Sequence, residues 1–221
     1  MNVENIEKVY QTKNKQIKAL TNFTYEFKKG TFYAITGNSG SGKSTLIRVL
    51  GLIDKMNTGK YLLNGTDITK LNDMELSKLR MKMIGFVFQD FYLDNYLKAY
   101  ENVMLPMLIN KDIPKEKRKE KAIALLQKLG LDERINHYPK ELSGGEQQRV
   151  AIARSLANNP EYILADEPTG NLDEENEAKV FAILKAMSEE GKCVIVVSHS
   201  QKVNDYADVV LNLKDGKLVQ E

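Results

Sequence analysis

The chain has 221 residues, 42% of them hydrophobic and 28% charged, with a formal net charge of +2. This is the composition of an ordinary globular domain long enough to bury a sizeable core, and so balanced a charge gives no reason to look for nucleic acid or an anionic membrane as a partner. One cysteine, Cys193, rules out an internal disulfide framework, and no apolar run approaches the about 20 residues needed to cross a bilayer.

In chain order, the first 30 residues alternate loosely and read as short antiparallel strands turning at "KKG". No hydrophobic signal region opens them. "TFYAIT" (31–36) reads as a buried strand, 43–51 as a helix, and "GKYLLNGTDI" as strand and turn. A helix near 72–82 and the strand "IGFVF" (84–88) follow. From about 90 to 157 the pattern turns helical, and the basic run in "PKEKRKEKAIALLQKLGL" reads as a solvated helix face. The remainder alternates again: "YILA" (162–165), a helix near 174–190, "CVIVVS" (193–198), "VVLNL" and "KLV". Within "CVIVV", Cys193 is expected as a buried strand thiol, which suits a reducing cytosol. Strands alternating with helices predict an α/β fold with a mainly parallel central sheet. An N-terminal antiparallel β subdomain precedes that sheet. Residues 1–89 and 158–221 would form the core, and 90–157 an inserted α-helical subdomain.

The strand at 31–36 runs into Gly37, Asn38, Ser39, Gly40, Ser41, Gly42, Lys43, Ser44 and Thr45, which fit G-x-x-x-x-G-K-[ST]. Glycines there permit positive φ and close backbone approach, so successive N–H groups can face phosphate oxygens. Lys43 is expected to reach the β- and γ-phosphates and the Ser44 hydroxyl to ligate Mg²⁺, with the positive end of the following helix behind them. The chain is therefore read as a P-loop NTPase.

Ligands of open parallel sheets bind beyond the carboxyl ends of the strands. Here those ends carry Gly37, Gln89, Asp166 with Glu167, and His199. Asp166 is the acidic partner expected to hold Mg²⁺ through water. Glu167 can accept a proton from an attacking water. Gln89 can complete the metal shell or place that water, and His199 can donate to the γ-phosphate. Tyr10 is a candidate to stack on adenine, with a half-buried strand tyrosine as the competing reading.

A second phosphate-shaped helix start lies at "LSGGEQQR" (142–149). Ser143 and Glu146 form S-x-x-E, a capping box, and Gly144 and Gly145 leave the helix N-terminus open to an anion. It has no lysine to hold a triphosphate alone. One geometry reconciles the two loops: the second one contacts a γ-phosphate held by Lys43 of another subunit.

The chain resembles the ATP-binding cassette (ABC) ATPases over its whole length, on "GNSGSGKST", Gln89, "LSGGE", "YILADE", "NLD" (171–173) and His199, in family order. The resemblance implies ATP and Mg²⁺ as cofactors. It also implies a homodimer that sandwiches two ATP molecules between 37–45 of one subunit and Ser143, Gly144 and Gly145 of the other, with Asp173 at the interface and Glu167 as general base. "GFVFQDFYL", "ENVMLPML" and "ADEPTGNLD" look like the branch that contains MacB, LolD and FtsE. For that branch the implied partner is an integral-membrane permease on a separate chain. The implied location is the cytoplasmic face of the membrane, and the task is export or extracytoplasmic extraction of an antimicrobial-peptide, macrolide or lipoprotein class of substrate. Regulation of cell division or cell-wall hydrolysis is the alternative. Tyr92, Leu93, Leu97, Tyr100 and Met107 are candidates to line the permease-docking groove, with core packing the competing reading for each. Two positions depart from the family: Glu146 stands where many members have Gln, and Ser200 where this branch often has Asp.

Overall fold

Strands buried on both faces should present alternate residues to two separate cores, and the central sheet does so. In a computed structural model of the chain, which describes residues 1–12 and 15–219, the elements in order are β1 (Asn2–Thr12), β2 (Lys15–Glu26), β3 (Thr31–Thr36), α1 (Lys43–Leu50), β4 (Thr58–Leu63), β5 (Thr66–Asp67), α2 (Asp73–Met83) and β6 (Ile84–Phe88). After β6 come α3 (Ala99–Leu108), α4 (Lys115–Lys128) and α5 (Gly144–Ser155). The chain then returns through β7 (Tyr162–Asp166), α6 (Glu174–Glu189), β8 (Cys193–Val197), β9 (Val209–Lys214) and β10 (Lys217–Val219).

The larger sheet has the order β10-β9-β3-β8-β7-β6. Its strands from β9 to β6 are parallel, and β10 is an antiparallel edge. Tyr33 and Ile35 of β3, Tyr162 and Leu164 of β7, and Cys193, Ile195 and Val197 of β8 face one core, shared with α1 and with Val3, Ile6 and Phe23. The intervening Phe32, Ala34, Ile163, Ala165, Val194 and Val196 face a second core, shared with α3 to α6. The period-two alternation of a strand thus explains the continuous apolar runs. Cys193 is buried, and that burial pushes its thiol up to about 12. The smaller sheet, β2-β1-β4-β5, is antiparallel throughout, and covers the first core. The molecule is thus a P-loop α/β fold with a mainly parallel central sheet and an antiparallel β layer.

The predicted strand at 31–36 matches β3 residue for residue. Asn72 caps α2 with a reciprocal Glu75 bond, which starts that helix one residue later than the sequence pattern alone suggests. Between β6 and β7 the chain builds α3, α4 and α5, which pack on one another.

Candidate functional site

The first phosphate loop is held open by backbone constraints. Gly42, which caps α1, lies in the left-handed region at φ 104°, and a Cβ there would sit 2.3 Å from the Ala19 carbonyl oxygen, so only glycine fits. The Ser41 carbonyl accepts from Gly216 N–H at 2.8 Å, pinning the loop to the β9–β10 turn. The Ser41 hydroxyl is buried without a hydrogen-bond partner among the described residues. Lys43 is only 5% exposed. Its Nζ curls over the loop and donates to the carbonyls of Gly37 (2.8 Å) and Asn38 (3.0 Å). Burial lowers the Lys43 pKa, while the carboxylates of Glu167 and Asp166 pull it back. Gly37, Asn38 and Ser39 form one wall of a cleft of about 510 Å³ whose other wall carries Ser198, His199 and Asn212.

Beyond the strand ends, the Ser44 hydroxyl donates to Asp166 Oδ1 at 3.2 Å. Burial raises the Asp166 pKa, and the Ser44 bond opposes that rise. A hydroxyl and a carboxylate at this distance are the hard oxygen donors that suit magnesium. Among the described residues no three His, Cys, Asp or Glu side chains form a metal cage, so a magnesium ion would complete its shell with phosphate and water oxygens.

Glu167 adopts φ 49°, unusual for a residue with a Cβ. Its N–H donates to Val197 O at 2.9 Å. Its Oε2 accepts the His199 backbone N–H at 3.0 Å, and its Oε1 lies 3.5 Å from His199 Nε2. The structure thus gathers Lys43, Ser44, Asp166, Glu167 and His199 at the ends of β3, β7 and β8. Gln89 follows β6 on the same side, but its amide donates to Asn171 Oδ1 at 3.2 Å, while Asn171 donates back to the Gln89 carbonyl at 3.3 Å. It faces the 170–171 turn rather than the Ser44–Asp166 pair. Tyr10 stands beside the opening of α1, its hydroxyl donating to Asp54 Oδ2 at 2.6 Å. Arg48 clamps that same carboxylate at 3.1 and 3.2 Å, and Lys8 Nζ lies 4.9 Å from the centre of the tyrosine ring. Burial, then the Asp54 bond, raises the Tyr10 pKa.

At the second helix start the capping box is complete. Ser143 Oγ accepts from Glu146 N–H at 3.3 Å, and Glu146 Oε2 accepts from Ser143 N–H at 2.8 Å. Arg134 adds a third restraint, Nε to Glu146 Oε1 at 2.7 Å. Burial works against the Glu146 charge, but the Arg134 and Ser143 bonds outweigh it and hold the carboxyl down at about 2. Gly145 has a separate steric reason to be glycine, since a Cβ there would come within 2.1 Å of Asn176 Oδ1. Asn176 is itself bound to Asp173, whose Oδ1 caps α6 by accepting Asn176 N–H at 2.8 Å. Ser143 is exposed and lines no part of the cleft around Gly37.

A second cleft, about 610 Å³, opens between α2, β6 and the ends of α3 and α5, lined by Phe86, Phe88, Tyr92, Pro106, Ile109 and Arg154 among others. Of the residues proposed from sequence to line a groove here, Tyr92 does, being 67% exposed. Met107 does not: it is fully buried and packs into the second core. It sits on the inner face of α3 with Val103, whereas Leu105 and Leu108 face outward. Leu93 and Tyr100 are half-buried and pack against the same core. Phe86 and Phe88 escaped the sequence reading because β6 and the end of α3, distant in sequence, form the opposing walls. Arg134 and Asp54 escaped it for a related reason: each acts through a tertiary partner that no local spacing announces.

Comparison with known proteins adds an independent line. Residues 20–170 match the family model described as ABC transporter. The chain is 45% identical over 221 residues to the lipoprotein-releasing system ATP-binding protein LolD of Aquifex aeolicus, covering all of this chain and 96% of that one. It is 44% identical over 216 residues to the macrolide export ATP-binding/permease protein MacB of Bdellovibrio bacteriovorus, covering 98% of this chain but 33% of MacB. Among solved structures, the dimeric ATP-binding cassette MJ0796 in a post-hydrolysis state with ADP and inorganic phosphate matches with a TM-score of 0.89 at 42% identity. That match covers 99% of this chain and 96% of the other.

Proposed function

The chain belongs to the ABC transporter family, and from that premise we propose that it is the ATP-hydrolysing subunit of a MacB- or LolD-type system, closing into a homodimer on ATP to drive a membrane permease on a separate chain. The observation that carries this reading is the separation of its two phosphate-binding helix starts. Residues 37–45 carry the lysine and stand with Asp166, Glu167 and His199, while Ser143 and Gly144 present an open N-terminus elsewhere, with no hydrogen bond or ion pair to that loop among the described residues. Two such halves make one site only when two chains meet.

In the proposed cycle Lys43 leaves the Gly37 and Asn38 carbonyls for the β- and γ-phosphate oxygens. Ser44 and Asp166 would hold magnesium, which would supply charge neutralisation to the phosphates. Glu167, aligned by the His199 N–H, takes a proton from the water that attacks the γ-phosphorus, and the bond to the ADP oxygen breaks. His199 donates to the γ-phosphate, Gln89 would leave Asn171 to hold the water or the metal, and Tyr10 stacks on adenine. The partner's Ser143, Gly144 and Gly145 close over the same γ-phosphate, with Asp173 at the interface. The cleft at Phe88, Tyr92 and Ile109 receives a cytoplasmic helix of the permease, which places the chain peripherally on the cytoplasmic face of the membrane. Export or extracytoplasmic extraction of a lipoprotein, macrolide or peptide is the work so driven; the likenesses to LolD and MacB support it.

Glu167→Gln tests the assignment. Nucleotide binding should persist, steady-state hydrolysis should vanish, and an ATP-bound dimer should accumulate on size exclusion. Wild-type hydrolysis in that variant removes Glu167 from the base role. Mixing Lys43→Ala and Ser143→Arg chains tests the composite site, because the heterodimer retains one intact site and regains hydrolysis that neither variant shows alone.

A further inference from the structure

The helix that begins at Ser143 carries a side chain buried where a hydrocarbon would be expected. Gln148 is 0% exposed, yet its amide nitrogen donates to two backbone carbonyls, Phe88 O at 3.2 Å and Pro168 O. Its Oε1 is buried with no partner among the described residues. The orientation of the amide is settled by chemistry: turned over, the oxygen would face two carbonyl oxygens and the nitrogen would have no acceptor. A buried acceptor left unpaired works against folding, and a position that keeps one has some other use for the group.

The two carbonyls are informative. Phe88 immediately precedes Gln89, and Pro168 immediately follows Glu167. An amide group has two N–H bonds, so one side chain spans the ends of β6 and β7 at the two residues that flank the site. Glu167 sits at φ 49°, a conformation that persists only when the surroundings over-determine it. The restraints on it are its own N–H to Val197 O, its carbonyl accepting Gly170 N–H at 3.1 Å, its carboxylate accepting His199 N–H at 3.0 Å, and Gln148 on the next carbonyl along. Helix α5 grips the same segment a second time through Arg154, which donates to Phe91 O (2.7 Å) and to Tyr92 O. Residues 88–92 are therefore fastened to α5 at both ends.

We propose that Gln148 is a positioning residue for hydrolysis, tying the seating of α5 to the placement of Glu167. Ser143 lies five residues before it, about 1.4 helical turns or about 7.5 Å along a rigid helix. Any shift of that helix start, as when it meets a phosphate, is carried through Gln148 to Pro168 and so to the Glu167 carboxylate. Gln148 is fully buried and bonds only backbone carbonyls, so it acts through the backbone. The inference rests on Glu167 being the base.

The test is Gln148→Met, which fills the same volume, removes both donors and also removes the unpaired acceptor. Its turnover, nucleotide affinity and melting temperature are read against wild type and Glu167→Gln, with a fluorescent ATP analogue as the binding probe. The expected result is a fall in kcat of tenfold or more, with affinity for the probe within about twofold of wild type and a melting temperature lowered by no more than a few degrees, because the Phe88 and Pro168 carbonyls lose their donor. An unchanged kcat overturns the proposal. So does a fall in kcat matched by weaker nucleotide binding or by loss of the folded state at the assay temperature, which would mark Gln148 as a packing residue only. Loss of turnover in Gln148→Met alongside sustained hydrolysis in Glu167→Gln would instead overturn the base assignment and leave Gln148 acting on another group.

Discussion

Glu146 closes the capping box at Ser143, and its geometry predicts a pH-dependent stability. Its carboxyl accepts the Ser143 N–H and the Arg134 Nε, and it sits at about 2 against an ordinary 4.5. A depressed folded value means that the stabilisation is fully present above the unfolded value and fades as pH falls toward 2. Taken whole, the depression corresponds to about 3 kcal/mol. The Arg134 side chain is 37% exposed, however, so solvent screens the pair. Discounting for that screening and retaining the cap leaves about 1–2 kcal/mol for Glu146 at pH 7. Urea unfolding of Glu146→Ala should therefore show a loss of that size at pH 7, roughly halved at pH 3. Glu146→Gln, which keeps the capping geometry, should lose only about 0.5–1 kcal/mol. A gap that stays constant or grows on acidification would refute the reasoning, as would an alanine variant as stable as wild type at pH 7.

Three further outcomes follow from neighbouring geometry. Arg134→Gln leaves the Glu146 charge uncompensated beside the helix start proposed to meet the partner's phosphate, and should weaken ATP-dependent dimerisation several-fold by analytical ultracentrifugation while Glu146→Gln barely changes it; equal effects would dismiss charge as the cause. Gly145→Ala drives a Cβ against Asn176 Oδ1 and should cost about 1–2 kcal/mol in urea unfolding. In an Asn176→Ala background, where only the Asn176 Cβ at 3.1 Å remains close, most of the cost should disappear, and its full persistence there would rule out the amide contact. Tyr10→Ala should raise the KM for ATP about tenfold with kcat nearly intact, and Asp54→Ala, which frees the Tyr10 hydroxyl, should do so to a smaller degree. An unchanged KM in Tyr10→Ala would refute adenine stacking.

What could be read from the sequence was whatever is decided locally or by burial on both faces. β3, β7 and β8 are apolar throughout because each face of the sheet is covered, and such runs announce themselves. The box at Ser143 and Glu146 closes within one turn, so its spacing is visible without knowing the fold. Met107 shows where this stops. "ENVMLPML" is apolar nearly all round, so its periodicity cannot say which side of α3 faces the core, and only packing buries Val103 and Met107 while Leu105 and Leu108 stay outside. Arg134, Asp54 and Gln148 lie beyond reach for another reason. Each is an ordinary polar residue whose meaning comes from a partner 12, 44 and up to 60 positions away. Gln148 is the sharpest case, because its neighbours in "LSGGEQQR" do local work that the motif explains. A glutamine one turn into a helix reads as solvated surface until the fold seals it between β6 and β7. The groups proposed for catalysis stand at strand ends and are legible. The struts that set their angles lie on the helix packed behind them, and they become visible only once that packing is known.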